Sequence, residues 1–324
     1  MPALLSPASW LWTAAGRLRV QATTPTRVPV PVICVGNLTA GGAGKTPTAL
    51  ALLGCLAERA GGRPFAHALT RGYGGSLEGP VRVDPARHSA TDVGDEALLL
   101  TRAAPTWVAR DRVAGALAAT AAGAQAIVMD DGFQNPALAK DLSLVVVDGE
   151  AGFGNGWVLP AGPLREPVAG ALARAHAVIV IGTDRAGVAD RVRTLQAALP
   201  VLAARLAPSR DGVAMVSGRR VFAFAGIGRP EKFFATLGEC GAKVVGTRMF
   251  ADHHRFTAGE IAAIEIEARR LDAHPITTEK DRVRLDAATQ GRIAALPVTL
   301  TFADEAALRR LLEPVLTRPV AATP

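Results

Sequence analysis

A chain of 324 residues with 49% hydrophobic and 20% charged side chains is too apolar for a disordered protein and long for a single core, so two folded domains are expected. Its cysteines (Cys34, Cys55 and Cys240) are odd in number and far apart, which excludes a disulfide framework and thiolate zinc spacing and fits a reducing compartment. The net charge of +7 suits an anionic partner or an arginine-rich protein with none; only 5% of residues are aromatic and no basic stretch is interleaved with them, so no nucleic-acid partner is expected.

Residues 1–19 read as a short apolar helix carrying Trp10 and Trp12, with Arg17 and Arg19 behind them. The segment lacks the basic start and cleavage site of a signal peptide, and no stretch of the chain qualifies as a transmembrane helix. Tryptophans flanked by arginines suit a membrane interface, and packing on the helix's own domain is the alternative.

The apolar run 31–35 then enters Thr39-Ala40-Gly41-Gly42-Ala43-Gly44-Lys45-Thr46. A buried strand, a glycine-rich turn ending Gly-Lys-Thr and a helix opening at Pro47 together make a P-loop. The glycines let backbone N–H groups turn inward around a phosphate, Lys45 brings a compact positive charge, and the Thr46 hydroxyl can ligate Mg²⁺. Thr39 stands where the strict pattern has glycine.

Further short apolar strands are predicted at 66–69, 107–109, 126–129, 144–147, 178–181 and 201–204, with helical segments between them. Strands that are apolar throughout belong to a parallel sheet buried on both faces, with ligands at the strands' C-terminal ends. Several loops there carry chemistry. Thr70-Arg71-Gly72-Tyr73-Gly74-Gly75 is glycine-rich and basic. Asp95 and Glu96 open an apolar helix, where they serve either as first-turn acids or as a base aimed at a substrate hydroxyl. The strand at 126–129 ends in Asp130-Asp131-Gly-Phe-Gln, the carboxylates a Walker B metal site needs, and spacing does not choose between them. An Arg165–Glu166 pair ends the glycine- and proline-rich loop 154–167.

Residues 208–220 break the pattern and read as a linker. A second block follows over 221–324, with strands at 221–225, 243–247, 275–278 and 298–302, helices near 230–239, 258–271 and 305–316, and a tail beyond Pro319 expected to fray. Before its middle helix stands Asp252-His253-His254-Arg255-Phe256, too isolated for a zinc site but able to supply an orienting histidine. The fold class is α/β: a P-loop NTPase-like three-layer α/β/α domain over 20–207 with a mainly parallel sheet, plus a second, smaller α/β/α domain.

Taken together, these segments closely resemble the tetraacyldisaccharide 4'-kinase (lipid A 4'-kinase) family. The likeness runs through most of the chain: Val-Gly-Asn-Leu-Thr-Ala-Gly-Gly-Ala-Gly-Lys-Thr-Pro at 35–47, Arg-Gly-Tyr at 71–73, Gly-Asp-Glu at 94–96, Asp-Asp-Gly-Phe-Gln at 130–134 and Leu-Pro-Ala-Gly-Pro-Leu-Arg-Glu at 159–166, then Ala-Gly-Ile-Gly-Arg-Pro at 225–230, Asp-His at 252–253 and Thr-Thr-Glu-Lys-Asp at 277–281. Threonine or serine normally opens the P-loop in that family, so Thr39 fits. The resemblance implies transfer of the ATP γ-phosphate to the 4'-hydroxyl of a lipid A disaccharide 1-phosphate. It places the chain on the cytoplasmic face of the inner membrane, held peripherally by the N-terminal helix at that anionic surface, as a monomer with its active site between two α/β/α domains.

By motif, Thr39–Thr46 would cradle the phosphates, and Asp95 would be the base with His253 as its dyad partner, His254 remaining the alternative. Thr46, Glu96, Asp131 and Glu166 would arrange Mg²⁺. Lys45, Arg165 and Arg112 would neutralise phosphate charge, and Arg71 and Tyr73 would belong to a substrate or nucleotide loop. Two other P-loop readings fare worse. A nucleotide switch or metallochaperone wants an Asn-Lys-x-Asp motif or a Cys/His cluster, and a DNA-partitioning ATPase wants a basic-aromatic patch; neither signal is present.

Overall fold

The computed structural model describes residues 2–62 and 65–317; the tail beyond Pro319 lies outside them. In chain order the strands are β1 (Val32–Gly36), β2 (Ala66–Thr70), β3 (Val81–Arg82), β4 (Thr106–Val108), β5 (Ala126–Asp130), β6 (Leu142–Asp148), β7 (Ala177–Ile181), β8 (Val201–Pro208), β9 (Arg220–Ala225), β10 (Lys243–Met249), β11 (His274–Thr278), β12 (Ala294–Leu296) and β13 (Val298–Phe302). Among the described residues, nine of them form one sheet in the order β13-β8-β7-β6-β1-β5-β2-β4-β3, and four form another in the order β10-β9-β11-β12.

β1 lies between β5 and β6, parallel to both, with Val35 beside Asp130 and Gly36 beside Val145. From β1 the chain runs toward β2 on one side, and from the adjacent β6 it runs toward β7 on the other, so the loop after β1 opens at the topological switch point where α/β sheets bind ligands. All five residues of β1 are buried, and so are those of β2 and β5. That is why they read as unbroken apolar runs: helices cover both faces. Val32, Cys34, Ile127 and Met129 point into one core, while Ile33, Val35, Ala126 and Val128 point into the other. The helix Lys45–Arg59 seals the second face with Ala49, Leu52, Leu53 and Leu56. Each leucine so buried stabilises the fold by about 1.5–3 kcal/mol.

The small sheet is parallel throughout and likewise has a core on each face, around Val221, Ala223 and Leu237 on one side and Phe222, Phe224 and Ile264 on the other. Two expectations need correction. The segment 208–220 is no loose linker: β8 runs to Pro208, Ser209 caps the helix Arg210–Val216, and Val216 packs into the small sheet's core. Nor does Val298–Phe302 join the small sheet. It returns to the large one and pairs antiparallel with β8, Val298 against Pro208 and Phe302 against Ala204. The helix Glu305–Leu316 follows it, placing Leu308, Leu312 and Val315 beside Leu52 and Leu56 in the large core.

The N-terminal helix spans Pro2–Gln21. It is seated on the loop 154–167: Ser9 Oγ donates to Val158 O at 2.8 Å and accepts from Ala161 N at 3.2 Å, and Trp12 Nε1 donates to Arg165 O at 3.1 Å. Its other side faces outward, with Trp10 71% and Leu11 74% exposed. Packing on its own domain and presenting an apolar face are therefore both true of this helix. No helix among the described residues is long and apolar enough to cross a membrane.

Candidate active site

Loops at the C-terminal ends of the two sheets meet in the cleft region, where Arg229 pairs with Asp148, Arg284 and His253 reach Asp95, and Arg255 donates to Gly74 O; the P-loop follows β1 at this same end of the large sheet. Asn37 braces the loop from within: its Nδ2 donates to Thr39 O at 2.8 Å and to Gly41 O at 3.3 Å. Ala40 N donates to Pro163 O at 2.7 Å, which ties the loop to the segment that also seats the N-terminal helix. Gly44 adopts a left-handed φ of 87°, and a Cβ there would sit 2.4 Å from Ile181 Cδ1, so turn geometry and close packing both call for glycine.

Lys45 and Thr46 begin the helix and are buried. Lys45 Nζ lies 3.7 Å from Asp131 Oδ2, and Thr46 Oγ1 donates to Asp130 Oδ2 at 2.8 Å. The adjacent carboxylates thus serve different partners. Asp130, at the end of β5, meets the threonine. Asp131, turned by a φ of 52°, faces the lysine and receives Arg165 through both guanidinium nitrogens at 2.7 and 3.2 Å. Burial alone would raise the Asp131 carboxyl, but Lys45 and Arg165 hold it below its ordinary value. Glu166 pairs instead with Arg174 at 2.9 Å and accepts from Gln134 Nε2 at 3.1 Å.

Asp130 is in the opposite state. Burial, reinforced by the charge of Glu96, pushes it up from 3.8 to about 7 despite the Thr46 hydrogen bond. Glu96 is raised as well, by burial first, with Asp95 adding to it against the attraction of Lys280. Asp130 Oδ1 is buried and, among the described residues, has no hydrogen-bond partner. An orphaned carboxylate oxygen beside the P-loop threonine, with a second raised acid near it, is a donor set that a hard divalent cation relieves. Among the described residues no three His, Cys, Asp or Glu side chains form a ready metal cluster. Mg²⁺ needs none, since it is held by one or two carboxylates and the substrate's phosphates.

These carboxylates make a stability prediction. A carboxyl raised in the folded state costs stability as pH climbs from its unfolded value toward about 7, because the unfolded chain gives up its proton first. Asp130→Asn removes that cost. The nucleotide-free variant is expected to melt higher than the parent at pH 8 and to show a flatter melting temperature between pH 4 and 7. A melting point that falls at pH 8 would contradict the strained carboxylate.

On the far wall, Asp95 begins the helix Asp95–Leu100 directly after Gly94, whose φ of 86° lets the chain pass against the Tyr73 carbonyl, 2.5 Å from where a Cβ would lie. Asp95 is buried. Its Oδ1 accepts from Glu96 N at 2.8 Å, and its Oδ2 lies 3.3 Å from His253 Nδ1 and 2.9 Å from Arg284 Nε. Burial pushes this carboxyl up, but His253, Lys280 and Arg284 outweigh it and hold it well below the usual carboxylate range. His253 is turned into the cleft by a left-handed φ of 59° and meets the Tyr73 ring edge-on at 5.6 Å. His254 turns away, 3.1 Å from both Glu260 oxygens and stacked on Phe250. Of the two histidines that spacing could not separate, His253 is thus the one at Asp95.

Arg112 is buried at the start of its helix, with Nε unpartnered among the described residues; burial, helped by the charge of Arg71, lowers its guanidinium to about 10. Arg71 and Tyr73 are exposed on the loop after β2. The cleft therefore gathers the P-loop with Asp130 and Asp131, the Asp95–His253 pair and the arginines Arg112, Arg165 and Arg284. Sequence reasoning gave no role to Asn37, Gln134, Lys280, Asp281 or Arg284. Asn37, Gln134, Lys280 and Asp281 lie inside motifs already noted, whereas Arg284 carried no signal.

Known proteins match the chain over almost its whole length. Residues 1–317 match the family described as LpxK, Tetraacyldisaccharide-1-P 4'-kinase. A tetraacyldisaccharide 4'-kinase of Rhodospirillum centenum is 60% identical over 316 residues, 98% of this chain and 92% of that protein. One from Methylobacterium sp. (strain 4-46) is 56% identical over 308 residues, 95% of this chain and 91% of its own. The crystal structure of an "apo" form of LpxK from Aquifex aeolicus in complex with ATP superposes with a TM-score of 0.74 at 25% identity, covering 97% of this chain and 99% of that one. On motifs, fold and kinship alike, the chain belongs to the tetraacyldisaccharide-1-P 4'-kinase family.

Proposed function

We propose that this protein transfers the γ-phosphate of ATP to the 4'-hydroxyl of tetraacyldisaccharide 1-phosphate, at the cytoplasmic face of the inner membrane. The observation that carries the reading is the meeting, in one cleft, of a P-loop from the large sheet with an aspartate–histidine pair that both sheets build. Phosphoryl transfer asks for positioning and charge neutralisation more than for covalent chemistry. The P-loop amides and Lys45 hold the β- and γ-phosphates. Arg165 and Arg112 place positive charge where the transferred group passes. Asp95 orients the acceptor hydroxyl and takes its proton, with His253 behind it. Thr46, Asp130 and Glu96 would hold Mg²⁺, with Asp131 and Glu166 arranging the residues around it; when bound, the ion neutralises charge on the β- and γ-phosphate oxygens. Arg71 and Tyr73 line the acceptor side.

The same reading divides the chain into a nucleotide-binding unit, residues 20–208 with 298–317, and an inserted unit, 209–297. A single chain carries every residue named, so the reading needs no second copy to complete the site. The test is transfer of labelled phosphate from ATP to the disaccharide 1-phosphate, with a lipid-free control. ATP turnover that is equally fast without the lipid would favour a nucleotide switch and overturn the reading.

The outward face of the N-terminal helix supplies a separate prediction. Trp10 and Leu11 are exposed, while Ser9 and Trp12 hold the helix in place. Burying two such side chains in the bilayer interface contributes about 1.5–3 kcal/mol each. Trp10→Glu with Leu11→Glu is therefore expected to weaken binding to anionic vesicles by about 100-fold or more without unseating the helix. Vesicle binding equal to the parent's would remove the helix as an anchor.

A further inference from the structure

Arg284 stands in the inserted unit, and its side chain is only 6% exposed. One edge of its guanidinium is mounted there: Nη1 donates to Gly226 O at 2.9 Å and to Asp281 Oδ1 at 2.8 Å. Asp281 is itself fully buried and held, its Oδ2 accepting from Gly226 N at 3.1 Å and from Thr278 Oγ1 at 2.7 Å. The mount is thus satisfied without help from the nucleotide-binding unit. The other edge, Nε and Nη2, is presented across the cleft to Asp95 Oδ2. Lys280 stands beside it, 3.9 Å from Glu96 and 3.3 Å from His253 Nε2.

The two oxygens of Asp95 are consequently unequal. Oδ2 receives Arg284 through two nitrogens and faces His253, so its lone pairs are taken. Among the described residues Oδ1 accepts one hydrogen bond, from Glu96 N–H, and keeps a lone pair for another donor. Two N–H groups converging on one oxygen fix where Oδ2 sits, and the Glu96 N–H on Oδ1 sets the plane of the carboxylate.

We propose that Arg284 is a positioning residue for phosphoryl transfer: mounted on the inserted unit, it holds Asp95 by Oδ2 so that Oδ1 is the atom that receives the acceptor's proton. This rests on Asp95 being the base. It makes the base complete only when the two units are together, since neither unit alone holds both ends of the pair. The opposite reading treats the pair as a latch that must open before the acceptor can reach Asp95. The two readings predict changes of opposite sign when Arg284 is truncated.

The experiment measures steady-state kinetics of the full-length enzyme on tetraacyldisaccharide 1-phosphate. Absence of parent activity would overturn the proposed function and not this inference. With the parent active, Arg284→Met is expected to lower kcat by about 100-fold, the scale of losing a fixed catalytic geometry. Its KM for ATP should stay within about threefold of the parent's, because the P-loop belongs to the other unit. Arg284→Lys keeps the charge and one donor and is expected to recover about tenfold of the loss. Because Arg284 acts through Asp95, adding Arg284→Met to Asp95→Asn should cost less than about threefold more. An unchanged or raised kcat in Arg284→Met, or a full 100-fold loss repeated in the Asp95→Asn background, overturns the proposal. Circular dichroism checks each variant; if Arg284→Met does not fold, the same comparison is made with Arg284→Lys alone and in the Asp95→Asn background.

Discussion

Asp95→Asn is expected to lower kcat by about 10³-fold, within the range that a positioned general base supplies, while ATP binds nearly as well as to the parent. Asparagine fills the same space but cannot accept the proton. It also leaves Arg284 and Lys280 facing a neutral amide where a buried carboxylate stood. Stripping one partner from a buried pair costs about 3–5 kcal/mol; Asp281 still holds Arg284, so the lower end applies. Melting temperature and activity should therefore fall together, with the ATP dissociation constant scarcely moved. The depressed affinity of Asp95 for protons does not argue against its role. In a loose phosphoryl-transfer transition state the hydroxyl keeps its proton until late, and the aspartate first serves as an oriented acceptor. Near-parental kcat in Asp95→Asn would remove it from the chemistry.

Lys45→Ala is expected to reduce kcat by about 10²–10³-fold, the cost of deleting one preorganised charge from a desolvated site. Here the fold should hold. Lys45 is one of two cations on Asp131, and Arg165 remains on both of its oxygens. Lys45→Arg is not expected to restore activity, because a planar fork cannot occupy the pocket of a compact ammonium. The contrast between the two sites is the useful measurement: Asp95→Asn should lose stability and rate, Lys45→Ala mainly rate. Activity within tenfold of the parent in Lys45→Ala would mean that the loop does not hold the transferred phosphate.

The P-loop was legible because its chemistry is local: strand, glycine turn and helix follow one another, and each leaves its mark on the residues that form it. Asp95 was half legible. As a first-turn acid it reads like any helix-opening residue, and its Oδ1 does take the neighbouring N–H; what spacing could not show is that its other oxygen faces a second sheet. His253 and His254 were inseparable because adjacent residues share every pattern, and the left-handed turn at His253 is a tertiary feature. Arg284 meets Asp95 across 189 positions of sequence, beyond the reach of any periodicity. The strand Val298–Phe302 was assigned to the wrong sheet because an apolar run does not name its partner. Its alternation, with Thr299 and Thr301 exposed and Leu300 buried, hinted at an antiparallel edge instead of a parallel interior.

That returning strand has a mechanical consequence. Pro208 and Val298 are direct neighbours in the ladder, so the chain crosses into the inserted unit and back at one point on the sheet's rim. A body joined through two adjacent, hydrogen-bonded strands cannot slide along the sheet without breaking the ladder that carries it. In effect residues 209–297 replace the turn of a β-hairpin. The junction stands at the C-terminal end of β8, which runs parallel to β7, β6 and β1, so the backbone hydrogen bonds that carry Arg284 and His253 toward Asp95 lie on the same edge of the sheet as the P-loop.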